Sequence, residues 1–109
     1  MEDEKIYTEV EQTPEFPGGE KAMIEFLQRN IKYPTVAQEQ GIQGAVRLRF
    51  VIEKDGTIDK IEVSRSLDPS CDKEAVRVVK SMPKWSQGRQ NGVSVAVYYT
   101  LPVRFKITE

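Results

Sequence analysis

From residue 93 to residue 107 the chain alternates without a break. Val93, Val95, Val97, Tyr99, Leu101, Val103 and Phe105 hold the odd positions, and Ser94, Ala96, Tyr98, Thr100, Pro102, Arg104 and Lys106 the even ones. A period of two belongs to a β-strand with one face on a core and the other turned outward. Val, Tyr, Phe and Thr suit such a pleated, half-buried surface. At ~3.3 Å per residue the run would extend roughly 45 Å, more than twice an ordinary strand. A chain of 109 residues cannot pair so long a strand along both edges throughout. The odd face is therefore expected to floor the core, and part of one edge to stand open.

Upstream, 6–13 carries Ile6, Tyr7 and Val10 among Thr and Glu, a weak strand candidate after the charged residues 2–5. We divide the chain into 1–13, a tail or weak strand, and a domain over 14–109. Two prolines and two glycines in 14–19 interrupt any helix or central strand. Phe16, the bulky apolar residue among them, is expected to pin that loop to the core. Ala22, Met23, Phe26 and Leu27 then form one helical stripe, with Gly19 as N-cap and Asn30 as a left-handed C-terminal residue. A short helix follows, with Pro34 in its first turn and Gly41 at its end. Val46, Leu48, Phe50 and Ile52 alternate with Arg47 and Arg49 in a second strand, which Asp55-Gly56 turns back as a type I′ hairpin. On the returning strand Ile61 and Val63 are out of phase with Ile58, which predicts a bulge near Asp59 and Lys60. Cys71, Ala75, Val78, Val79 and Met82 make the buried stripe of a helix over 71–82, capped by Asp68 or Ser70 and stopped by Pro83. Trp85 is expected at the seam between helix and sheet, and 87–92 as a polar loop. The order α-α-β-β-α-β describes an α+β, two-layer sandwich: a three-stranded antiparallel or mixed sheet with helices on one face.

Composition narrows the chemistry. With 16 basic and 17 acidic residues the net charge is −1, which gives nucleic acid no basic footprint. There is no histidine and one cysteine, Cys71, which removes His-based metal sites, Ser-His-Asp and Cys-His pairs, and an internal disulfide. Cys71 sits on the core stripe and reads as structural. No cofactor is expected. The opening Met-Glu-Asp-Glu-Lys reads as the start of an expressed fragment, which would put any membrane anchor or export signal upstream.

Several signals then fall in one order: Tyr33-Pro34, Gly41-Ile42-Gln43-Gly44-Ala45-Val46, Asp55-Gly56, Asp72-Lys73-Glu74-Ala75, Met82-Pro83-Lys84-Trp85, Asn91-Gly92 and Leu101-Pro102-Val103-Arg104-Phe105. Together they resemble the C-terminal domain of the TonB energy-transducer family. Pro14-Glu15-Phe16-Pro17-Gly18-Gly19 resembles the version common in Bacteroidetes. Gln87-Gly88 departs from the Pro-Gly or Pro-Ala often found after the Trp, a difference of loop geometry. The resemblance implies a periplasmic domain anchored to the inner membrane by an upstream helix, and a partnership with the ExbB–ExbD motor. It also implies capture of the "TonB box" of outer-membrane receptors, which drives import of siderophores and other nutrients.

Strand addition fits the residues, because an extended peptide on an open edge bonds through main chain and asks little of its own side chains. The expected box-binding residues are Val93, Ser94, Val95, Ala96, Val97, Tyr98, Tyr99 and Thr100. Pro102 has no N–H, so its edge is the one best left open, and Ala96, Tyr98 and Thr100 share it. Segment 6–10 is the expected competitor for that edge. Tyr33 and Pro34 match the family position that touches the receptor plug. Homodimerisation through the same edge is a further possible use of it. Two other readings compete: an accessory domain at the end of a membrane-bound sensor metallopeptidase, and a carboxylate-dependent hydrolase using Glu15, Glu20, Asp55, Asp59 or Asp72.

Overall fold

The computed structural model describes residues 5–107; the start of the expected tail, 1–4, and the last two residues of the expected 14–109 domain lie outside it. In chain order the elements are β1 (Ile6–Tyr7), α1 (Glu20–Asn30), α2 (Thr35–Glu39), β2 (Gly44–Ile52), β3 (Ile58–Arg65), α3 (Pro69–Lys80), β4 (Gly88–Gln90) and β5 (Val93–Phe105). The α+β class is as expected, but the sheet has five strands where three were expected. Its order is β1-β5-β2-β3, with β4 pairing β5 as well. One addition, β1, lies within the weak strand candidate 6–13; the other, β4, is three residues long, too short to leave a periodic signature.

β2 and β5 form the spine. They run antiparallel through nine consecutive pairs, from Gly44 opposite Phe105 to Ile52 opposite Val97. Val46, Leu48, Phe50 and Ile52 of β2 meet Leu101, Val103 and Phe105 of β5 in one core. Cys71, Ala75, Val78 and Val79 of α3 cover it, with Met23 of α1 and Ala37 of α2. Phe16 pins its loop here, its ring 5.5 Å from Phe26 and 5.9 Å from Trp85. Trp85 also meets Phe50 at 6.0 Å and Tyr99 at 4.8 Å, all in edge or tilted contacts that aromatic quadrupoles favour.

The odd face of β5 is only partly the core's floor, a correction to the expectation. Val93 is 62% exposed, and Val97, though buried, lies outside the main cluster. The cause is length. β5 overshoots the end of β2 at Val97, and 93–95 pair with β4 in a hairpin instead. Asn91 and Gly92 turn that hairpin with positive φ angles of 54° and 77°, the two-residue geometry that matches strand twist.

The type I′ turn thus occurs at Asn91-Gly92 and not at Asp55-Gly56. Asp55 keeps negative φ and only Gly56 is positive, at 90°. The Glu53 N–H donates to Thr57 and the Gly56 N–H to Glu53, a turn followed by a left-handed glycine. The Asp55 carboxylate holds it by accepting from the Thr57 N–H and hydroxyl at 3.0 and 2.7 Å. The β3 bulge falls where phase demanded. Lys60 has φ 52°, and the pairing slips between Arg49–Glu62 and Val51–Asp59. Asn30 does not take the left-handed conformation either: its side-chain amide donates to the Phe26 carbonyl and Ile31 closes the helix. Pro34 is the N-cap of α2, one place before the first turn.

At α3 the Asp68 carboxylate accepts from the Ser70 and Cys71 N–H groups at 3.0 and 3.4 Å. Asp72 reaches back to the Leu67 N–H at 3.0 Å and to the Ser66 hydroxyl. Hydrogen bonding, first from the Ser70 hydroxyl, holds the Asp68 carboxyl below its ordinary range. A depressed folded-state value means stabilisation that is present above the unfolded carboxylate range and lost as pH falls through the folded one. Asp68→Ala should therefore lower the urea midpoint at neutral pH, with a deficit that shrinks steadily below the carboxylate range. A constant deficit would refute the cap's ionic character.

Gly56 offers a sharper test. A Cβ there would lie 2.1 Å from the Trp85 carbonyl oxygen, while the Gly56 carbonyl accepts from the Trp85 N–H at 2.9 Å. Positive φ and backbone contact together make Gly56→Ala cost about 2–4 kcal/mol, read as a lower urea midpoint at unchanged m. A loss below about 0.5 kcal/mol, the scale of surface changes, would contradict this packing.

Candidate sheet-edge binding site

The sheet has two outer edges, and they differ. β3 carries the bulge at Lys60, two register shifts, and charges at Asp59, Lys60, Glu62 and Arg65. Twist and charge of that kind discourage another strand from docking. β5 is regular along its pairing with β2. On its other side β1 pairs parallel at only two positions, Ile6 with Ala96 and Tyr7 with Val97. Among the described residues no strand pairs with that side beyond Val97.

Which backbone groups point outward follows from the hairpin. The Glu53 N–H bonds to Thr57 on the β3 side, so the alternation of strand backbones turns Ile52, Phe50, Leu48, Val46 and Gly44 toward β5. Their partners Val97, Tyr99, Leu101, Val103 and Phe105 bond inward. Tyr98, Thr100, Pro102 and Arg104 consequently face away from β2. Pro102 stands opposite Arg47 at a pair that exchanges no hydrogen bonds, so its missing N–H costs the sheet nothing.

The expected box-binding residues therefore fall into three groups. Val93, Ser94 and Val95 lie opposite β4. Ala96 and Val97 are covered by β1, which corrects the expectation that the Ala96 backbone is free; Ile6 and Tyr7, from the segment expected to compete for the edge, reach it first. Tyr98, Tyr99 and Thr100 begin the uncovered stretch, which continues through Arg104, farther along the strand than expected. The Arg49 guanidinium covers the Tyr98 ring at 4.0 Å and pairs with Glu62 at 3.4 Å, fixing Tyr98 on the outer face.

A trough of about 850 Å³ runs beside this edge. Its floor is Tyr99, Leu101, Val103 and Phe105, and its far wall is α1. Burial, with the nearby Glu20 carboxylate, pushes the Tyr99 phenol up. Tyr33 closes the end of the trough. Its ring packs edge-on against Phe105 at 5.5 Å and its hydroxyl donates to the Ile42 carbonyl. Tyr33 is thus a half-buried corner post, with Pro34 beside it starting α2.

The candidate carboxylates do not converge. Asp55 braces one turn, Asp72 one helix start, and Asp59 accepts from the neighbouring Lys60 N–H at 2.8 Å. Among the described residues no three His, Cys, Asp or Glu side chains gather as metal ligands, and no helix is long and apolar enough to cross a membrane. Cys71 is fully buried, and burial with the nearby Asp68 carboxylate pushes its thiol up, away from the reactive thiolate.

Amide hydrogen exchange checks the edge assignment. Tyr98, Thr100 and Arg104 should exchange at least about tenfold faster than Tyr99, Leu101 and Val103, whose N–H groups bond to β2. Equal protection along the strand would contradict the alternation.

The comparisons agree with this architecture. The profile of the family described as "Gram-negative bacterial TonB protein C-terminal" matches residues 29–107. A Protein TonB of Pseudomonas aeruginosa is 42% identical over 53 residues, a stretch covering 49% of this chain and 15% of that protein. The solution structure of Helicobacter pylori TonB-CTD (residues 194–285) superposes with a TM-score of 0.62 at 24% identity, covering 84% of this chain and 98% of that one. A longer form of the same domain, residues 179–285, gives 0.61 at 24% identity, over 85% and 88%. At that identity the structures speak for the fold alone, whereas the profile match spans most of the chain, including the whole β2–β5 spine. The chain belongs to the family of TonB C-terminal domains.

Proposed function

We propose that this domain is the receptor-grasping end of a TonB-type transducer. It takes the TonB box of outer-membrane receptors as an added strand on the outer edge of β5, from Tyr98 toward Arg104. The observation that carries this reading is that free edge: a regular strand, bonded to β2 on one side and uncovered on the other beyond Val97. Recognition through main chain lets one transducer serve receptors of differing sequence. At a net ~1 kcal/mol per hydrogen bond, five or six bonds with a few side-chain contacts give roughly micromolar affinity once ordering costs are met. That strength suits a grip that forms, bears a pull and lets go. A peptide aligned with β5 loads its bonds together in shear, and nine pairs behind it spread the load into β2.

In this reading the domain works on the periplasmic side of the inner membrane. The ExbB–ExbD motor supplies the pull through parts of the protein upstream, and the domain performs no catalysis. The relative sharing 42% identity is itself a TonB protein, which supports the transducer over the sensor-peptidase accessory domain.

Thr100→Pro tests the edge directly. Thr100 faces outward, so proline there removes a donor from the peptide side and leaves the β2 bonds intact. Titration with peptides from receptor N-termini, followed by NMR, should move resonances along 98–106. Thr100→Pro should weaken binding at least about tenfold with the fold unchanged. Flat spectra across a varied peptide panel, or full affinity in the variant, would refute the proposal.

A further inference from the structure

Strand addition by main chain alone would be indifferent to sequence, but the trough beside β5 is not. α1 presents Met23, Ile24, Leu27 and, just past its end, Ile31 toward it, at the i, i+1, i+4, i+8 spacing of one helix face. Ile24 is 46% exposed, an apolar side chain without a cover. α1 runs alongside β5, with Glu20 near Tyr99 at one end and Tyr33 against Phe105 at the other. The charges along this edge are unequal. Glu20 lines the trough at the Tyr99 end, while Arg104 and Lys106, even-numbered and so on the outer face of the strand, stand at the Phe105 end. The family match begins only at residue 29, so most of this wall precedes the shared segment.

We infer that α1 converts the free edge of β5 into a side-chain-reading groove: its occupant is an extended peptide with apolar residues at alternate positions, packed against Ile24 and Leu27, and a carboxylate beside Arg104 and Lys106. Alternation is required because successive side chains of an added strand point to opposite faces, and only one face meets α1. The outward face meets even-numbered neighbours on β5, where a carboxylate across from Arg104 forms a favourable cross-strand pair. The length of α1, eleven residues at 1.5 Å each, matches an added strand of roughly five residues. This inference rests on the strand-addition reading and adds specificity to it.

The test uses the full chain and fluorescence anisotropy with labelled synthetic peptides. One peptide of roughly ten residues carries valine at every second position, threonine between, and two aspartates at one end; a comparator has serine for each valine. The valine peptide should bind at least about tenfold more tightly than the serine peptide. Ile24→Glu, at an exposed position outside the buried core, should bring the valine-to-serine preference below about twofold. Ile24→Leu should retain it. Arg104→Glu should weaken the aspartate-ended peptide and strengthen a lysine-ended one; an equal effect on both overturns the charged end. Equal affinities for valine and serine peptides, or an indifferent Ile24→Glu, overturn the groove while leaving strand addition standing. If no peptide binds, strand addition fails and the groove with it. Sedimentation showing a dimer that Ile24→Glu dissociates, with no peptide bound, would instead make the occupant a second copy of this chain.

Discussion

Between Gly44 and Ile52 on one strand and Phe105 and Val97 on the other, nine backbone pairs lie in unbroken antiparallel register. Everything else is positioned by that ladder. Its inner face carries Val46, Leu48, Phe50, Ile52, Leu101, Val103 and Phe105, onto which α3 lays Cys71, Ala75, Val78 and Val79. Its parity decides which backbone groups face outward, and hence where a partner can attach. A slip of one residue would turn the apolar set to solvent and the arginines into the core, a penalty far above the few kcal/mol that separate folded from unfolded chains.

Pro102 shows how sequence and edge are matched. Proline in a central strand ordinarily costs a ladder bond, yet here it stands at a position whose N–H would have faced outward. The strand continues to Phe105, and among the described residues no strand pairs with that side beyond Val97. The opposite border of the sheet is treated differently, with the bulge at Lys60 and charges at Asp59 and Glu62. One edge is thus blunted and the other left regular, a contrast expected of a sheet that uses a single border for association.

Much of this was legible beforehand because it rests on strong periodicity. The alternation of 93–105, the stripe of α3 and the bulge forced by Ile58 against Ile61 each come from a repeat several residues long. β1 falls inside the weak candidate 6–13 and occupies the edge expected of it, but it is only two residues, so its extent follows from its contact with Ala96 and Val97. What escapes the sequence is too short or too contextual to repeat. β4 lay hidden in Gln87-Gly88-Arg89-Gln90, although Asn91-Gly92 after it is a strong hairpin signal that could have found it. Asp55-Gly56 marks the position of the turn but not its geometry, because dipeptide identity does not register the Trp85 backbone pressed against Gly56. At the candidate site the strand and its open side were readable. The start of the open stretch at Tyr98 was not, since it depends on how far β1 reaches. The trough was invisible too, because it exists only once α1 lies beside β5.

A partner that binds through main chain and is steered by one helix wall meets two demands at once. In the proposed complex, bonds to Tyr98, Thr100 and Arg104 would supply grip regardless of sequence, while Ile24 and Leu27 would favour some sequences over others. The most direct measurement is therefore of the hydrogen bonds themselves, by through-bond NMR couplings between labelled peptide amides and domain carbonyls. Strand addition on β5 predicts those couplings at the carbonyls of Tyr98, Thr100 and Pro102, on the outward side of the strand. Couplings to carbonyls of β3, or a bound peptide with none to β5, would contradict it.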